Sequence, residues 1–196
     1  MNQSTDATPY KEILAKAEEV LTRIAELLKA GKIDPAAMIH TSADYTGRGI
    51  LTTKNVYRVG VFPVAANPFH WAHLLIGLDA IGRFELDKVV YVLAGADPRK
   101  PALVANEIRH PMGREVLDIF APFFSYSSIA VGTDFDGETN IFRILELNPD
   151  QKVDAFYLVG GDHYNRKVMK GGQEQDDTIQ KLEDNIANRI YNFNPL

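Results

Sequence analysis

The chain reads as an α/β protein, a doubly wound parallel sheet preceded by a helical extension, and three observations carry this. Short runs rich in β-branched and aromatic residues recur at Tyr57–Phe62, Leu86–Ala94, Phe123–Val131 and Asp154–Val159. Between them lie stretches with apolar residues at helical spacing, and strands separated by helices of this length form parallel βαβ units with right-handed crossovers. The 196 residues are 45% hydrophobic, enough for one core, yet no stretch approaches the ~20 uninterrupted apolar residues a membrane helix needs. The expected organisation is a helical extension over residues 1–55 and a sheet domain over 56–196.

Composition narrows the function classes. A net charge of −5 argues against a general nucleic-acid-binding surface. The absence of cysteine excludes disulfides and thiolate metal sites and fits a reducing cytoplasm. Met1 to Thr8 is polar and lacks the apolar core of a secretion signal.

Thr8-Pro9 predicts a helix start, threonine as cap and proline at the first helical position. Tyr10, Ile13, Leu14, Ala17, Leu21, Ile24 and Leu28 form an apolar stripe, which predicts packing against the domain or a second subunit, and Gly31 ends the helix. Asp34-Pro35 predicts a further short helix to about His40, and 41–53 a loop. His40 has no partner at metal spacing and reads as structural or solvent-exposed.

The informative stretch is Tyr57 to His73. Tyr57–Phe62 predicts a buried strand that Pro63 stops, because proline has no N–H for a ladder. Val64, Ala65 and Ala66 lead to the turn pair Asn67-Pro68. From Trp71 the pattern turns helical, with Trp71, Leu74, Leu75, Leu78 and Ile81 on one face. His70 and His73 therefore fall on the first turn of a helix and point the same way. Unpartnered N–H groups and the positive end of the macrodipole favour phosphate there, and two imidazoles add donors for charge that grows in a transition state. The same spacing also suits capping, packing or half of a metal site.

Asn67-Pro68-Phe69-His70-Trp71-Ala72-His73 resembles the H-x-G-H signature of the nucleotidylyltransferase superfamily, and most of all the nicotinate and nicotinamide mononucleotide adenylyltransferases. In that family the first strand is followed by Gly-Gly-x-Phe-Asn/Asp-Pro-x-His-x-Gly-His. Asn67, Pro68, His70 and His73 match. Pro63 and Val64 replace the glycine pair, Ala66 the phenylalanine and Ala72 the glycine between the histidines. Glycine at such positions lets backbone approach phosphates closely. The resemblance implies a Rossmann-like sheet of order 3-2-1-4, catalysis by His70 and His73, and nucleotide contacts from Val64, Ala65, Ala66 and Asn67.

Further positions extend it. Gly95 to Pro101 resembles the family's Pro-x-Lys loop, so Lys100 is expected to reach a phosphate. Arg109-His110-Pro111-Met112 resembles the Arg-x-x-Met that begins the next helix, with Arg109 facing nucleotide, Met112, Val116, Leu117 and Phe120 facing the core, and His110 incidental. The acidic loop 132–138 lacks the late glutamate of a calcium loop and reads as a solvated turn. Thr139 to Leu147 predicts a helix through Ile141, Ile144 and Leu145, its Thr139-Asn140 standing where the family has Thr-Asp.

Gly160-Gly161-Asp162 follows the fourth strand as the family's Gly-x-Asp does. Independently of that likeness, Gly160 permits close approach of a ligand, and Asp162 at a strand's carboxyl end can accept hydrogen bonds from ribose hydroxyls or an amine. In a 3-2-1-4 sheet, strands one and four are neighbours at the switch point, where such sheets bind ligands. His163 to Lys167 predicts a polar helix ended by Lys170-Gly171-Gly172, and Asp177 to Asn188 an amphipathic one. The family's triphosphate-binding Ile-Ser-x-Thr-x-x-Arg is not found before Leu196, which leaves a shortened chain or a protein without that phosphate site as readings. The resemblance spans about Tyr57 to Arg166.

The function these residues predict is adenylyl transfer from magnesium-ATP to nicotinate or nicotinamide mononucleotide. The partners expected are small-molecule nucleotides and a second copy of the chain, with no nucleic acid and no membrane. The alternatives are a phosphopantetheine- or CTP-dependent relative, a nucleotide-binding protein that has lost catalysis, and a metal protein using the two histidines, for which spacing supplies no third ligand.

Overall fold

A computed structural model describes residues 8–36, 38–41, 54–95, 102–133, 137–158, 168–170 and 173–175. The elements are α1 (Thr8–Lys29), β1 (Tyr57–Val64), α2 (Trp71–Phe84), β2 (Lys88–Leu93), α3 (Asn106–Asp118), β3 (Phe124–Ser127), α4 (Gly137–Glu146), β4 (Val153–Tyr157), β5 (Val168–Lys170) and β6 (Gln173–Gln175). The first four strands form one parallel sheet of order β3-β2-β1-β4, as the sequence predicts.

β1 is central and buried on both faces. Tyr57, Val59 and Val61 pack with Ile141 and Ile144 of α4 on one side. Phe62 and Val64 pack on the other with Leu74, Leu78 and Ile81 of α2, Leu117 of α3, and Val20, Ile24 and Leu27 of α1. Helices on both faces place the carboxyl ends of β1 and β2 on a common rim, which is what positions the candidate site.

Several elements differ from the sequence reading, each for a traceable reason. Pro63 does not end β1, which runs to Val64 and pairs Pro63 with Val92. Tyr57 N–H donates to Lys152 O on the β4 side, and Leu158 N–H donates to Val61 O, so odd-numbered residues of β1 direct their backbone groups toward β4. The last pair on that side is Val61 with Tyr157, so the N–H that Pro63 lacks faces β4 just where that ladder stops, and the pairing with β2 is untouched.

In α1 the buried residues are Val20, Ile24 and Leu27, whereas Ile13, Leu14, Leu21 and Leu28 of the predicted stripe are exposed. Gly82 of α2 lies at the crossing, where a Cβ would make ordinary contact with Arg23 and the Val20 carbonyl at 3.5 to 3.9 Å. Gly31 does end the helix: its φ is +64°, its N–H donates to Leu28 O at 3.0 Å, and Lys32 N–H donates to Leu27 O at 2.9 Å. Both bonds of the Schellman motif are present.

The short helix expected after Asp34 is absent among the described residues, where 35–36 form a turn and 38–40 are irregular. Long-range bonds hold this segment instead. Asp34 N–H donates to Asp87 Oδ1 at 2.6 Å, Gln151 Nε2 donates to Met38 O at 2.9 Å, and His40 N–H donates to Asn148 Oδ1 at 2.7 Å. β3 is shorter than expected because the Ser127 hydroxyl donates to Thr41 O and accepts Ile129 N–H, bending the chain into a turn.

α3 starts at Asn106 rather than Arg109 and carries Pro111 inside it. Trp71 and Met112, both assigned to core faces, are exposed. Val168–Lys170, read as the end of a helix, is a strand paired antiparallel with Gln173–Gln175, Lys170 opposite Gln173. In sequence the intervening Gly171-Gly172 is a two-residue hairpin signal as well as a helix stop. Residues 163–167 and the helix expected over 177–188 lie outside the described residues.

Gly77 of α2 faces Tyr91 of β2, and a Cβ there would overlap the Tyr91 hydroxyl. That hydroxyl donates to His73 O at 2.8 Å. Gly77→Ala is therefore expected to destabilise the fold by about 1–3 kcal/mol through overpacking, read as a lower urea midpoint at unchanged slope.

Candidate active site

The strand–loop–helix unit delivers both histidines as expected. β1 ends at Val64, whose carbonyl accepts Ala94 N–H at 2.9 Å. The chain then turns through Ala66, buried with φ +50°, a left-handed conformation that costs a residue with a Cβ about 1 kcal/mol or more. His70 is the extended N-cap of α2, with φ −143° and ψ 168°. His73, three residues on, donates its N–H to His70 O at 3.0 Å. Its Nδ1 accepts the His70 N–H at 3.2 Å. The two rings stack, centroids 3.8 Å apart and 28° between planes. Phe69 and Phe62 back the His73 ring at 5.0 and 6.3 Å.

A cleft of about 450 Å³ opens in front of them, lined by Ala65, Ala66, Asn67, Pro68, His70, His73, Ala102 and Leu103. Asn67 joins its two walls: Nδ2 donates to Ala102 O at 3.3 Å, and Oδ1 accepts Val104 N–H at 3.1 Å. Of the residues predicted for the site, Ala65, Ala66, Asn67, His70 and His73 come together here. Val64 is buried in the core behind the cleft. Lys100, Gly160 and Asp162 lie outside the described residues.

Arg109 is placed behind the wall. Nη1 donates to Ala65 O at 2.6 Å, Nη2 to Gly95 O at 3.1 Å and to Asn106 Oδ1 at 2.7 Å, and Nε to Val104 O at 3.2 Å. One guanidinium thus ties together the chain ends leaving β1 and β2 and the start of α3. His110 is not incidental. It is buried, and its Nε2 lies 3.0 Å from Ala94 O while Nδ1 lies 2.7 Å from the Tyr126 hydroxyl. A carbonyl only accepts, so Nε2 carries the proton and the neutral ring accepts from Tyr126 at Nδ1. Consecutive residues of α3 therefore hold the consecutive carbonyls of Ala94 and Gly95. Sequence reasoning missed this because the acceptors are backbone groups on another element.

The His73 imidazole titrates at about 4, lowered first by burial and then by the neighbouring His70 ring. Because the folded value lies below the ordinary 6.5, the unfolded chain binds more protons between the two, so stability falls as pH drops from about 6.5 toward 4. The measurement is urea stability against pH. Replacing His73 with Gln is expected to flatten that slope, and an unchanged slope would count against His73 as its source.

No family model matches the chain. Three curated relatives described as "probable nicotinate-nucleotide adenylyltransferase" align with its central part. That of Thermoanaerobacter sp. (strain X514) is 30% identical over 109 residues, 54% of this chain and 51% of the relative. That of Geotalea daltonii is 30% identical over 111 residues, 55% and 50% of the two chains. That of Citrifermentans bemidjiense is 31% identical over 114 residues, again 55% and 50%. The chain is a distant relative of these adenylyltransferases. It spans about half the length of the curated relatives it matches. Among the described residues no helix is long and apolar enough to cross a membrane, and no three His, Asp or Glu side chains gather as a metal site would require.

Proposed function

We propose that the protein transfers the adenylyl group of ATP to nicotinate or nicotinamide mononucleotide, giving the dinucleotide and pyrophosphate. The observation that carries this reading is the stacked His70–His73 pair on the first turn of α2, facing a cleft at the carboxyl end of a central parallel strand. The names of the relatives point the same way. In the reaction an oxygen of the acceptor's phosphate attacks the α-phosphorus, the bond to the β-phosphate breaks, and pyrophosphate leaves. Magnesium arrives with ATP as part of the substrate.

The chain's contribution is positioning and charge stabilisation. His73 is neutral at pH 7 and its Nδ1 accepts the His70 N–H, so its proton sits on Nε2. It is thus a fixed donor for a phosphoryl oxygen. His70 supplies a second donor, and the N-terminus of α2 adds the positive end of its dipole. Asn67 and Arg109 hold the loop that shapes the cleft. Roles for Lys100 on the phosphates and for Gly160 and Asp162 at the nucleoside rest on the resemblance.

The test mixes the protein with magnesium-ATP and each mononucleotide, and in parallel with phosphopantetheine or with CTP as donor, and follows pyrophosphate and product. Dinucleotide formation supports the reading. Nucleotide binding by calorimetry without turnover would replace it with a binding protein that has lost catalysis.

A further inference from the structure

β2 runs out of ladder at its carboxyl end. Its last pair with β1 is Leu93 with Val64, and its last pair with β3 is Val92 with Ser127. Ala94 N–H still reaches Val64 O at 2.9 Å. Ala94 O lies past both ladders and meets the His110 ring instead, Nε2 at 3.0 Å. The next residue, Gly95, has no room for a side chain, because a Cβ there would collide with Ala130 O. Its carbonyl accepts from Arg109 Nη2 at 3.1 Å. What holds the His110 ring comes from the edge strand. The Tyr126 hydroxyl donates to Nδ1 at 2.7 Å, its ring stands edge-on to the imidazole at 87°, and the Ser128 side chain bonds that hydroxyl in turn. With Nδ1 taken as acceptor, the ring proton is fixed on Nε2, toward Ala94 O. Neither His110 nor Tyr126 lines the cleft.

We propose that His110 is a positioning residue for the cleft: held by Tyr126, its ring fixes the Ala94–Gly95 peptide and, through the adjoining Arg109, the spacing of the two cleft walls. The link runs through backbone. Arg109 Nη1 holds Ala65 O, on the wall that follows β1. Its Nε holds Val104 O, and Val104 N–H donates to Asn67 Oδ1, which joins that wall to the one at Ala102 and Leu103. Without the ring, Ala94 O loses its donor, and the exit of β2 is tied to α3 through Gly95 O alone. The first turns of α3 are then freer to slide along the rim, and Arg109 carries Ala65 and Val104 with it. The His70–His73 pair is held separately, by its own turn and by Phe62 and Phe69. The effect therefore falls on how tightly substrate is bound, not on the donors to the phosphorus. Only this kinetic consequence rests on the adenylyl-transfer reading.

The experiment pairs native-state hydrogen exchange, which needs no activity, with dinucleotide kinetics. It compares the full chain with His110→Phe, His110→Gln, Tyr126→Phe and the double variant His110→Phe/Tyr126→Phe. In His110→Phe the Ala94 amide is expected to exchange about tenfold faster relative to the mid-sheet amides of Val61 and Val90. The KM for ATP is expected to rise about tenfold with a smaller change in kcat. His110→Gln carries one donor and one acceptor and is expected to recover most of both losses. Tyr126→Phe removes a single oxygen, so it reads the same pattern at reduced size even if His110→Phe does not fold. It is expected to add nothing to His110→Phe, because the hydroxyl acts through the ring. Exchange at Ala94 that rises no more than at Val61 and Val90 would make the ring merely structural and overturn the proposal. Full additivity of the two substitutions would overturn the pairing. If the unaltered chain forms no dinucleotide, the adenylyl-transfer reading fails, and exchange at Ala94 still decides whether His110 positions the rim.

Discussion

Substituting His70 or His73 by alanine is expected to lower the rate of dinucleotide formation about 10²–10³-fold, the usual cost of removing one preorganised donor to a developing anion. The loss should appear in kcat more than in KM, because the donors tighten on the five-coordinate phosphorus rather than on bound ATP. His70 is the cleaner probe. Its ring is exposed, so its loss should leave the melting curve nearly unchanged. His73 is packed against Phe62 and Phe69 and carries the His70 N–H on its Nδ1, so its alanine variant should lose both rate and some stability. Product formation at the unaltered rate in both variants would remove the imidazoles from the chemistry.

The largest effect on stability is expected at Asp87. Its carboxylate is fully buried, yet it lies at the far end of β2 from the cleft. Oδ1 accepts Asp34 N–H and the Lys54 ammonium, both at 2.6 Å, and Oδ2 accepts Arg58 N–H at 2.8 Å. The Lys54 ammonium also donates to Lys32 O at 2.6 Å. Asp87→Ala leaves a half-buried cation and two inward N–H groups without their acceptor, which predicts a loss of about 3–5 kcal/mol. Urea unfolding measures it, and a loss below about 1 kcal/mol would show that the segment after α1 is held by other means. Lys54→Ala should cost less, because Lys54 reaches solvent and the carboxylate keeps its two backbone donors.

The strands and the two histidines were legible because each depends on local pattern, whereas the order 3-2-1-4 came from the family resemblance. Apolar runs broken by helical spacing fix the strands, and the Asn67-Pro68 turn ahead of Trp71 fixes where α2 begins, which puts His70 and His73 on its first turn. The roles of Arg109 and His110 were not legible, because their acceptors are carbonyls of Ala65, Gly95 and Ala94, far away in sequence. A side chain's own spacing carries no record of such partners. The same holds for Asn67, whose amide spans to Ala102 and Val104.

The amino-acid sequence alone determined the α/β class, the parallel βαβ pattern of the strands, the end of α1 at Gly31 and the location of the paired imidazoles, since periodicity, turn chemistry and backbone freedom act within a few residues. The tertiary structure decided which stripe of α1 is buried, through the packing of Val20, Ile24 and Leu27 on α2. It also decided that β1 passes through Pro63, that 34–36 and 38–40 are strapped rather than helical, and that Arg109 grips backbone. Each of these outcomes depends on what lies opposite a residue in space, and the neighbour across a sheet or a helix crossing is set only once the chain has folded.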